Sequence, residues 1–519
     1  GMDHDLSSSK VVGRNAVYSL IGYGVAAAYI LVLLPVVVHY LGTELFGLWV
    51  LIMALTGYIW LVDLGMSLSF TKYVAQYISE RDYDNVSSVV RHGILFYLAV
   101  SVLVIALGGL LAPHIFRALN VPAEQLELAR HAFPIALLGF GINAILYVFL
   151  SLLSGIQRMD VVNIFTSVAF LLKFVAIAGA LALGMGLIGM MAAEAAVGIV
   201  SLVPVVVIVR RFLPEVSLWR LGFDTSMFKR LLKFGGQLQV SRFAELVQLQ
   251  FDKLLISRYI GLTAVTMYDF GSRPLNRLRA LPATALMGLL PAVSALDVEG
   301  NQARIRAGLL RSTRYLMLFS VPLFAFVAAF AHEIMQVWLG GGFSQAARTL
   351  QMLAVGYFAG IITVPLAVTS QGRGEPQYQM RTTLVQAIVN IILSTSLVLL
   401  YGYYGAVAGT VVAAIVGALL FTRVYGRRVI EHPLRTFGAL LAKPIVGAIP
   451  AVVAALAALE LLQGLVSPAT RLAVLGCLLL TFGVFLAAYL AMVLILRLVG
   501  PDDKRFLEGI LPSRFSEKG

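Results

Sequence analysis

Fourteen apolar runs, each long enough to cross a bilayer, follow one another along this 519-residue chain. A membrane-spanning helix needs about 20 mainly apolar residues. Sixty per cent of the residues are hydrophobic and 13% are charged, against about 45–50% and about 25% in soluble proteins. The sequence therefore predicts an all-α integral membrane protein with 14 transmembrane helices. The predicted spans are Asn15–Val38, Phe46–Ser69, Gly93–Ala112, Ala132–Leu153, Asn163–Leu183, Leu187–Val209, Phe234–Ser257, Leu262–Leu290, Thr313–Phe330, Leu350–Ser370, Leu384–Leu400, Tyr404–Tyr425, Phe437–Leu459 and Leu472–Leu496.

The distribution of Lys and Arg predicts the orientation. With a cytoplasmic N-terminus, 28 basic residues lie in inside loops and five in outside loops. Cytoplasmic loops carry such an excess, so we expect both termini, 1–14 and 499–519, to be cytoplasmic tails. The formal charge of +13 then reflects topology, and no nucleic-acid partner is expected. The basic linker 210–233 is interpreted as a surface-lying cytoplasmic segment.

Short matches indicate an internal repeat. His39-Tyr-Leu-Gly42 matches Arg258-Tyr-Ile-Gly261 at a shift of 219 residues, and Gly155 matches Gly372 at a shift of 217. Six spans per copy is an even number, so both copies share one orientation, as in a parallel repeat. We therefore expect two six-helix lobes, 15–209 and 234–425, followed by two further helices within 426–498.

Charges within the seventh and eighth spans are the most unusual feature of the chain. A charge at the centre of a membrane helix costs roughly 2.5–3.5 kcal/mol on insertion scales, so such side chains usually face water or one another. At about 100° per residue, polar residues share one face of each span. On the seventh span these are Gln237, Ser241, Glu245, Gln248 and Asp252, and on the eighth Asp269, Arg273, Asn276 and Arg277. A water-filled cavity and an internal salt-bridge network both explain this pattern.

The excess of intramembrane bases favours a cavity for an anionic ligand, because arginine binds phosphate and carboxylate bidentately. The predicted ligand contacts are Arg242, Arg273 and Arg277, with Glu245 and Gln248 beside them. Lys173 in the fifth span is interpreted as the first lobe's contribution. Asp63, Glu194, Asp252 and Asp269 are candidate proton or sodium sites, although each could instead pair with a base. No enzyme signature, metal-ligand spacing or cofactor motif is found.

Several segments resemble one known family. They are Arg14-Asn15, Tyr40-Leu41-Gly42, Asp63-Leu64-Gly65, Lys72-Tyr73-Val74-Ala75, Tyr268 with Arg273, and Gly372-Arg-Gly-Glu-Pro376. The chain is similar to the Wzx-type lipid-linked oligosaccharide flippases, in the superfamily that also contains the MATE exporters and peptidoglycan-precursor flippases. The resemblance extends over nearly the whole chain.

This resemblance implies alternating access between two lobes in a bacterial inner membrane. The implied substrate is an undecaprenyl-diphosphate-linked oligosaccharide, such as an O-antigen, capsule or exopolysaccharide repeat unit. The matching basic positions are Arg273 and Arg277 in the cavity and Arg14 near its cytoplasmic mouth. Membrane lipid is an implied partner, and a polysaccharide polymerase and chain-length regulators are candidate partners.

Three alternatives compete with this interpretation. A MATE-like cation-coupled drug exporter would favour an acidic cavity, whereas the bases here predict a cationic one. A membrane glycosyltransferase or polymerase would need a long outside catalytic loop or an interfacial carboxylate cluster, and neither is found. A peptidoglycan-precursor flippase has a ligand that also carries a diphosphate.

Overall fold

The computed structural model describes residues 9–63, 66–217, 224–236, 239–287, 293, 297, 300–465 and 470–498. Within these residues the regular structure is helical, without strands. Two short 3₁₀ segments, Trp60–Asp63 and Gly426–Arg428, accompany the α-helices. The α-helices are α1 (Ser9–Ile59), α2 (Met66–Ser79), α3 (Tyr83–Ala118), α4 (Ala123–Gly155), α5 (Met159–Ala182), α6 (Gly186–Phe212), α7 (Thr225–Gly236), α8 (Gln239–Tyr259), α9 (Leu262–Met287), α10 (Gln302–Ala329), α11 (Ala331–Trp338), α12 (Ser344–Ile362), α13 (Val364–Gly372), α14 (Gln377–Tyr401), α15 (Tyr403–Val424), α16 (Pro433–Leu465) and α17 (Arg471–Ile495).

Eleven segments of the described chain are long and apolar enough to cross a membrane. They confirm a multi-span helical membrane protein but not the count of fourteen. One of them, Ile21–Asp63, is 43 residues long and covers most of the first two predicted spans. It is broken at Gly42, whose φ of 74° and ψ of 171° are not helical. Large apolar side chains on the spans face outward, as expected for contact with lipid; Val102 and Leu110 of α3 are 69% and 71% exposed.

The seventh and eighth predicted spans form α8 and α9, but neither is among the eleven apolar segments. Both are long enough for the bilayer at 1.5 Å per residue. They differ from the other spans in composition, because charged residues lower their hydropathy. Their charges therefore separate them from every other long helix that the structure describes.

The second predicted span ends earlier than expected. Helical geometry stops at Ile59, tightens to a 3₁₀ turn over Trp60–Asp63, and resumes as α2 at Met66. The predicted boundary at Ser69 is wrong because the apolar run continues across this break into α2. The break places the buried carboxylate of Asp63 at a helix end.

Turn geometry repeats with the period of the sequence matches. Five non-helical positions with positive φ in the first six spans have a counterpart 217 to 220 residues later. The pairs are Gly42 and Gly261, Arg81 and Gly300, Asn120 and Gly340, Gln157 and Gly374, and Gly184 and Gly402. Because a left-handed residue reverses or ends a helix, the two halves place their turns in the same order.

Packing divides the chain into two compact units, Gly1–Asp269 with Val398–Ala406, and Phe270–Leu397 with Val407–Gly519. In the first unit α3 and α6 pack on α4, and α8 packs on α1. Its core includes Phe70, Tyr97 and Leu152, all fully buried. In the second unit α10 packs on α12 and α16, and α16 packs on α17. The boundary between units lies within α9, whereas the sequence repeat divides the chain at the linker.

The linker contains the amphipathic helix α7. Met227 and Leu231 are buried, while Lys229, Arg230 and Lys233 are exposed. Ser69 Oγ donates to the Leu231 carbonyl oxygen at 2.7 Å, and Arg230 donates to the Tyr77 hydroxyl at 2.8 Å. This arrangement agrees with a surface-lying segment held against α2.

The backbone N–H of Asp224 anchors the start of α7 by donating to His92 Nε2 at 2.8 Å. His92 Nδ1 lies 2.7 Å from the Ser88 carbonyl oxygen, so the ring connects α3 to the start of α7 through both nitrogens. Hydrogen bonds from Ser226 lower the pKa of the Asp224 carboxyl.

We expect Gly47→Ala to destabilise the protein strongly. A Cβ atom at Gly47 would lie 2.0 Å from the Leu262 carbonyl oxygen, a backbone atom that cannot move without shifting α9. Gly24→Ala in the same helix is the matched control, because nothing lies within 4 Å of its added Cβ. Alanine there should be neutral or stabilise by up to about 1 kcal/mol. Thermal unfolding of the purified protein measures both, and equal midpoints would contradict the predicted contact.

Candidate functional site

Two contacts join α8 to the start of α9. Lys253 Nζ lies 3.0 Å from Asp269 Oδ1, with the two side chains 13% and 0% exposed. The Tyr268 hydroxyl donates to Asp252 Oδ2 at 2.6 Å, and Asp252 is also fully buried. The two contacts are therefore made by adjacent residues on each helix, Asp252 and Lys253 on α8 and Tyr268 and Asp269 on α9. A buried carboxylate is tolerated only when such groups stabilise it.

The residues on the polar face of α8 differ in their exposure. Glu245 is exposed and Gln248 is half-buried, whereas Asp252 is fully buried. Asp269, paired with Lys253, thus belongs to an ion pair such as the sequence left open as the alternative to a cavity, whereas Asp252 is held by a tyrosine hydroxyl. Glu245 and Gln248, at the other end of the face, have the exposure that a ligand contact requires.

The arginines of α9 follow this network along the helix. Arg273, Arg277 and Arg279 are all half-buried, and the Arg279 guanidinium lies 5.6 Å from the centroid of the Tyr357 ring. A cation over an aromatic face at this distance is favourable. Between Leu262 and Met287, α9 carries three arginines and one acid, and that acid contacts Lys253. The side chains of Arg14 and Arg242 lie outside the described part of the structure.

A second group of polar side chains surrounds a cavity within the first unit. The cavity, about 360 Å³, is lined by residues of α1, the 3₁₀ turn that follows it, α4 and α6, among them Thr56, Trp60, Asn143 and Glu194. Glu194 Oε1 lies 3.4 Å from Lys173 Nζ, with the side chains 33% and 14% exposed. Lys173 therefore forms an ion pair with a residue that lines the cavity.

Asp63 is completely buried and accepts a hydrogen bond from the Tyr97 hydroxyl. Tyr97 belongs to α3 and is itself fully buried. Sequence reasoning missed both tyrosine donors, Tyr97 and Tyr268, because a tyrosine in an apolar run gives no signal of its hydrogen-bond partner. Within the described residues, no group of three or more His, Cys, Asp or Glu side chains could hold a metal ion.

Removing the Tyr268 hydroxyl should destabilise the protein. Tyr268→Phe leaves Asp252 buried without this donor, which costs about 1–3 kcal/mol or more for a charged acceptor. Tyr259→Phe is the matched control at the end of α8, where the side chain is 46% exposed. Thermal unfolding in detergent measures both variants, and a Tyr268→Phe protein as stable as Tyr259→Phe would contradict the assigned bond.

The sequence is similar to known families and proteins. The family described as "Polysaccharide biosynthesis protein" matches residues 12–297, and the MatE family matches residues 239–395. A Shigella flexneri protein named "Putative O-antigen transporter" is 22% identical over 423 residues, covering 80% of this chain and 97% of the relative. The "Probable low-salt glycan biosynthesis flippase Agl15" of Haloferax volcanii is 24% identical over 169 residues, 33% of this chain and 36% of that protein.

Solved structures share the fold. "Lipid II flippase MurJ, inward closed conformation" superposes with a TM-score of 0.68 at 14% identity, over 93% of this chain and 98% of the other. An inward-facing multidrug resistance MATE family transporter superposes with a TM-score of 0.66 at 18% identity, over 77% and 94%.

The matching family covers more than half of the chain, and the named relatives are transporters or flippases, not enzymes. The many apolar helices, the charged pair α8–α9 and the MATE-like fold agree with that assignment. The chain therefore belongs to the polysaccharide biosynthesis protein family of membrane transporters and flippases.

Proposed function

We propose that this protein translocates an undecaprenyl-diphosphate-linked oligosaccharide from the cytoplasmic to the outer leaflet of a bacterial inner membrane. O-antigen, capsule and exopolysaccharide repeat units are the substrate class. The names of the Shigella and Haloferax relatives support a lipid-linked glycan as the cargo. A polysaccharide polymerase and chain-length regulators are proposed partners that would use the product.

One observation carries this proposal, the charge balance of α9. Its acid, Asp269, lies 3.0 Å from Lys253 of α8, and Arg273, Arg277 and Arg279 lie at intermediate exposure on the same helix. Guanidinium groups held in a membrane favour a phosphate-bearing guest. We assign Arg273 and Arg277 to the diphosphate, with Glu245 and Gln248 near the sugar and Arg242, Arg14 and Lys173 as further basic contacts.

We propose that transport proceeds by alternating access between two lobes, 15–209 and 234–425, with fourteen spans in all. The repeated turns support this division. In the predicted orientation Gly42 and Gly261 lie on the outer side. There Thr266 Oγ1 donates to the Thr43 carbonyl oxygen at 2.5 Å, and Gly47 packs on the Leu262 carbonyl. These contacts join α1 to the start of α9 on that side.

The ion that drives transport would act on buried carboxylates. Asp63, Asp252 and Asp269 are fully buried, and Glu194 lines the cavity of the first unit. We propose these four as coupling candidates, because protonation or cation binding would change their contacts with Tyr97, Tyr268, Lys253 and Lys173. Because a carboxylate in a membrane span has a high free-energy cost, its presence there makes it a functional candidate.

Reconstitution tests the proposed function directly. The purified protein in proteoliposomes should move an undecaprenyl-diphosphate-linked oligosaccharide from one leaflet to the other, measured by its exposure to an impermeant glycosidase. Parallel vesicles with a cationic dye test the drug-exporter alternative. Vesicles with a peptidoglycan precursor test the alternative of a peptidoglycan-precursor flippase. Dye transport or precursor flipping without movement of the oligosaccharide would overturn the proposal.

A further inference from the structure

A basic pocket lies within the second unit, apart from the charged face of α9. Its volume is about 660 Å³, and it is bounded by α10, α16 and the turn that follows α17. Four basic side chains line it, Arg314, Arg435, Lys443 and Arg497, and among the described residues its lining contains no acid. Three separate segments thus bring positive charge to one space.

The packing of this unit builds the pocket. α10 packs on α16, and α16 packs on α17. Arg314 of α10 donates to the Leu498 carbonyl oxygen and thereby ties the end of α17 to α10. The same turn is closed by the Leu498 N–H, which donates to the Val493 carbonyl oxygen at 2.9 Å. Arg497 is held in this turn with a φ of 48°.

The pocket lining combines basic and apolar side chains. Arg435 and Arg497 are exposed and lie at the ends of two spans, Pro433–Leu465 and Arg471–Ile495. Lys443 lies eight residues further along α16, about 12 Å deeper at 1.5 Å per residue. Leu318 and Leu440 also line the pocket, and Leu318 is one helical turn further into the bilayer than Arg314. The N-terminal end of α16 adds a favourable dipole for an anion.

We propose that this pocket binds the phosphate headgroup of an anionic phospholipid at the end of the spans. Basic pockets between transmembrane helices on the cytoplasmic side bind such headgroups, and the positive-inside distribution places this end in the cytoplasmic leaflet. The volume lies in the range that holds a drug-sized ligand, and the leucines of the lining suit an acyl chain. Both features favour a lipid over a free phosphate ion. The site is separate from the proposed transport path and does not depend on it.

Lipid-dependent stabilisation of the purified full-length protein tests the site. Phosphatidylglycerol added to the protein in neutral detergent should raise the unfolding temperature saturably, and phosphatidylcholine should not. Arg435→Gln/Arg497→Gln should weaken the apparent affinity for phosphatidylglycerol by about tenfold or more, because each base near an anionic lipid surface contributes about 1 kcal/mol.

Arg423→Gln/Arg427→Gln is the matched control. It removes the same charge from exposed positions outside the pocket lining and should keep the response. An unchanged unfolding temperature without lipid shows that each variant is folded, and native mass spectrometry counts retained phosphatidylglycerol as a second measurement.

Three outcomes would overturn the proposal. They are an equal effect of both double variants, a wild-type protein that does not respond to phosphatidylglycerol, and equal stabilisation by inorganic phosphate. The third outcome would assign the pocket to a free anion.

Discussion

Glycan export should fall by about a hundredfold or more when Arg273 and Arg277 are both replaced by Ala. The two residues are four positions apart on α9 and so share one face, about 6 Å apart along the axis. If both contact the diphosphate, their loss leaves its charge without partners in the membrane, and such truncations cost 2–5 kcal/mol or more each. The measurement is surface glycan in cells that lack the native transporter, together with the amount of protein in the membrane.

A charge-preserving variant distinguishes the effect of the bidentate guanidinium group from the effect of its charge. Arg273→Lys/Arg277→Lys should retain part of the activity, because lysine keeps the charge but not the bidentate fork. Arg348→Ala removes one exposed arginine from a predicted outside loop and should export normally. Normal export by the double alanine variant at wild-type protein levels would exclude the cationic-cavity mechanism.

Breaking the Lys253–Asp269 pair should cause the largest loss of stability. Lys253→Met leaves the Asp269 carboxylate buried without its cation, and removing one partner of a buried pair costs about 3–5 kcal/mol. The double variant Lys253→Met/Asp269→Leu should recover most of this, because replacing both partners by apolar groups removes the uncompensated charge. Thermal unfolding in detergent, with the retained monodisperse fraction, measures the series.

Arg258→Met is the matched control for this series. Arg258 lies at the exposed end of the same helix, 5.7 Å from the Tyr259 ring, so its replacement should change stability by no more than about 1 kcal/mol. Two results would show that the pair does not hold α8 to α9. They are a Lys253→Met protein as stable as the control, and a double variant less stable than Lys253→Met.

The helical, multi-span character of the chain could be predicted from the sequence because hydropathy is a local property. The internal repeat could also be predicted. The structure adds three further pairs of positive-φ positions, because Arg81, Asn120 and Gln157 correspond to glycines that they do not resemble in sequence. The 3₁₀ turn at Trp60–Asp63 could not be predicted, because the apolar run continues through it without a break in composition.

For the candidate site, the sequence located the charged helices but not the partners of their charges. The helical arc grouped Asp252 with Glu245 on one face of α8, yet the first is buried and the second exposed. Helical periodicity describes direction around an axis and contains no information about what another helix brings to that face. The tyrosine donors to Asp63 and Asp252 were missed for the same reason.

By itself, the sequence determined the chemistry available to this protein: long apolar helices, a repeated order of turns, and bases retained in spans where they are costly. Only the tertiary structure decided which charges neutralise one another, as in Lys253 with Asp269 and Lys173 with Glu194. It alone also gathered Arg314, Arg435, Lys443 and Arg497 around one pocket. The physical reason is that a charge in a membrane is stabilised by groups distant in the chain, and only packing brings those groups within reach.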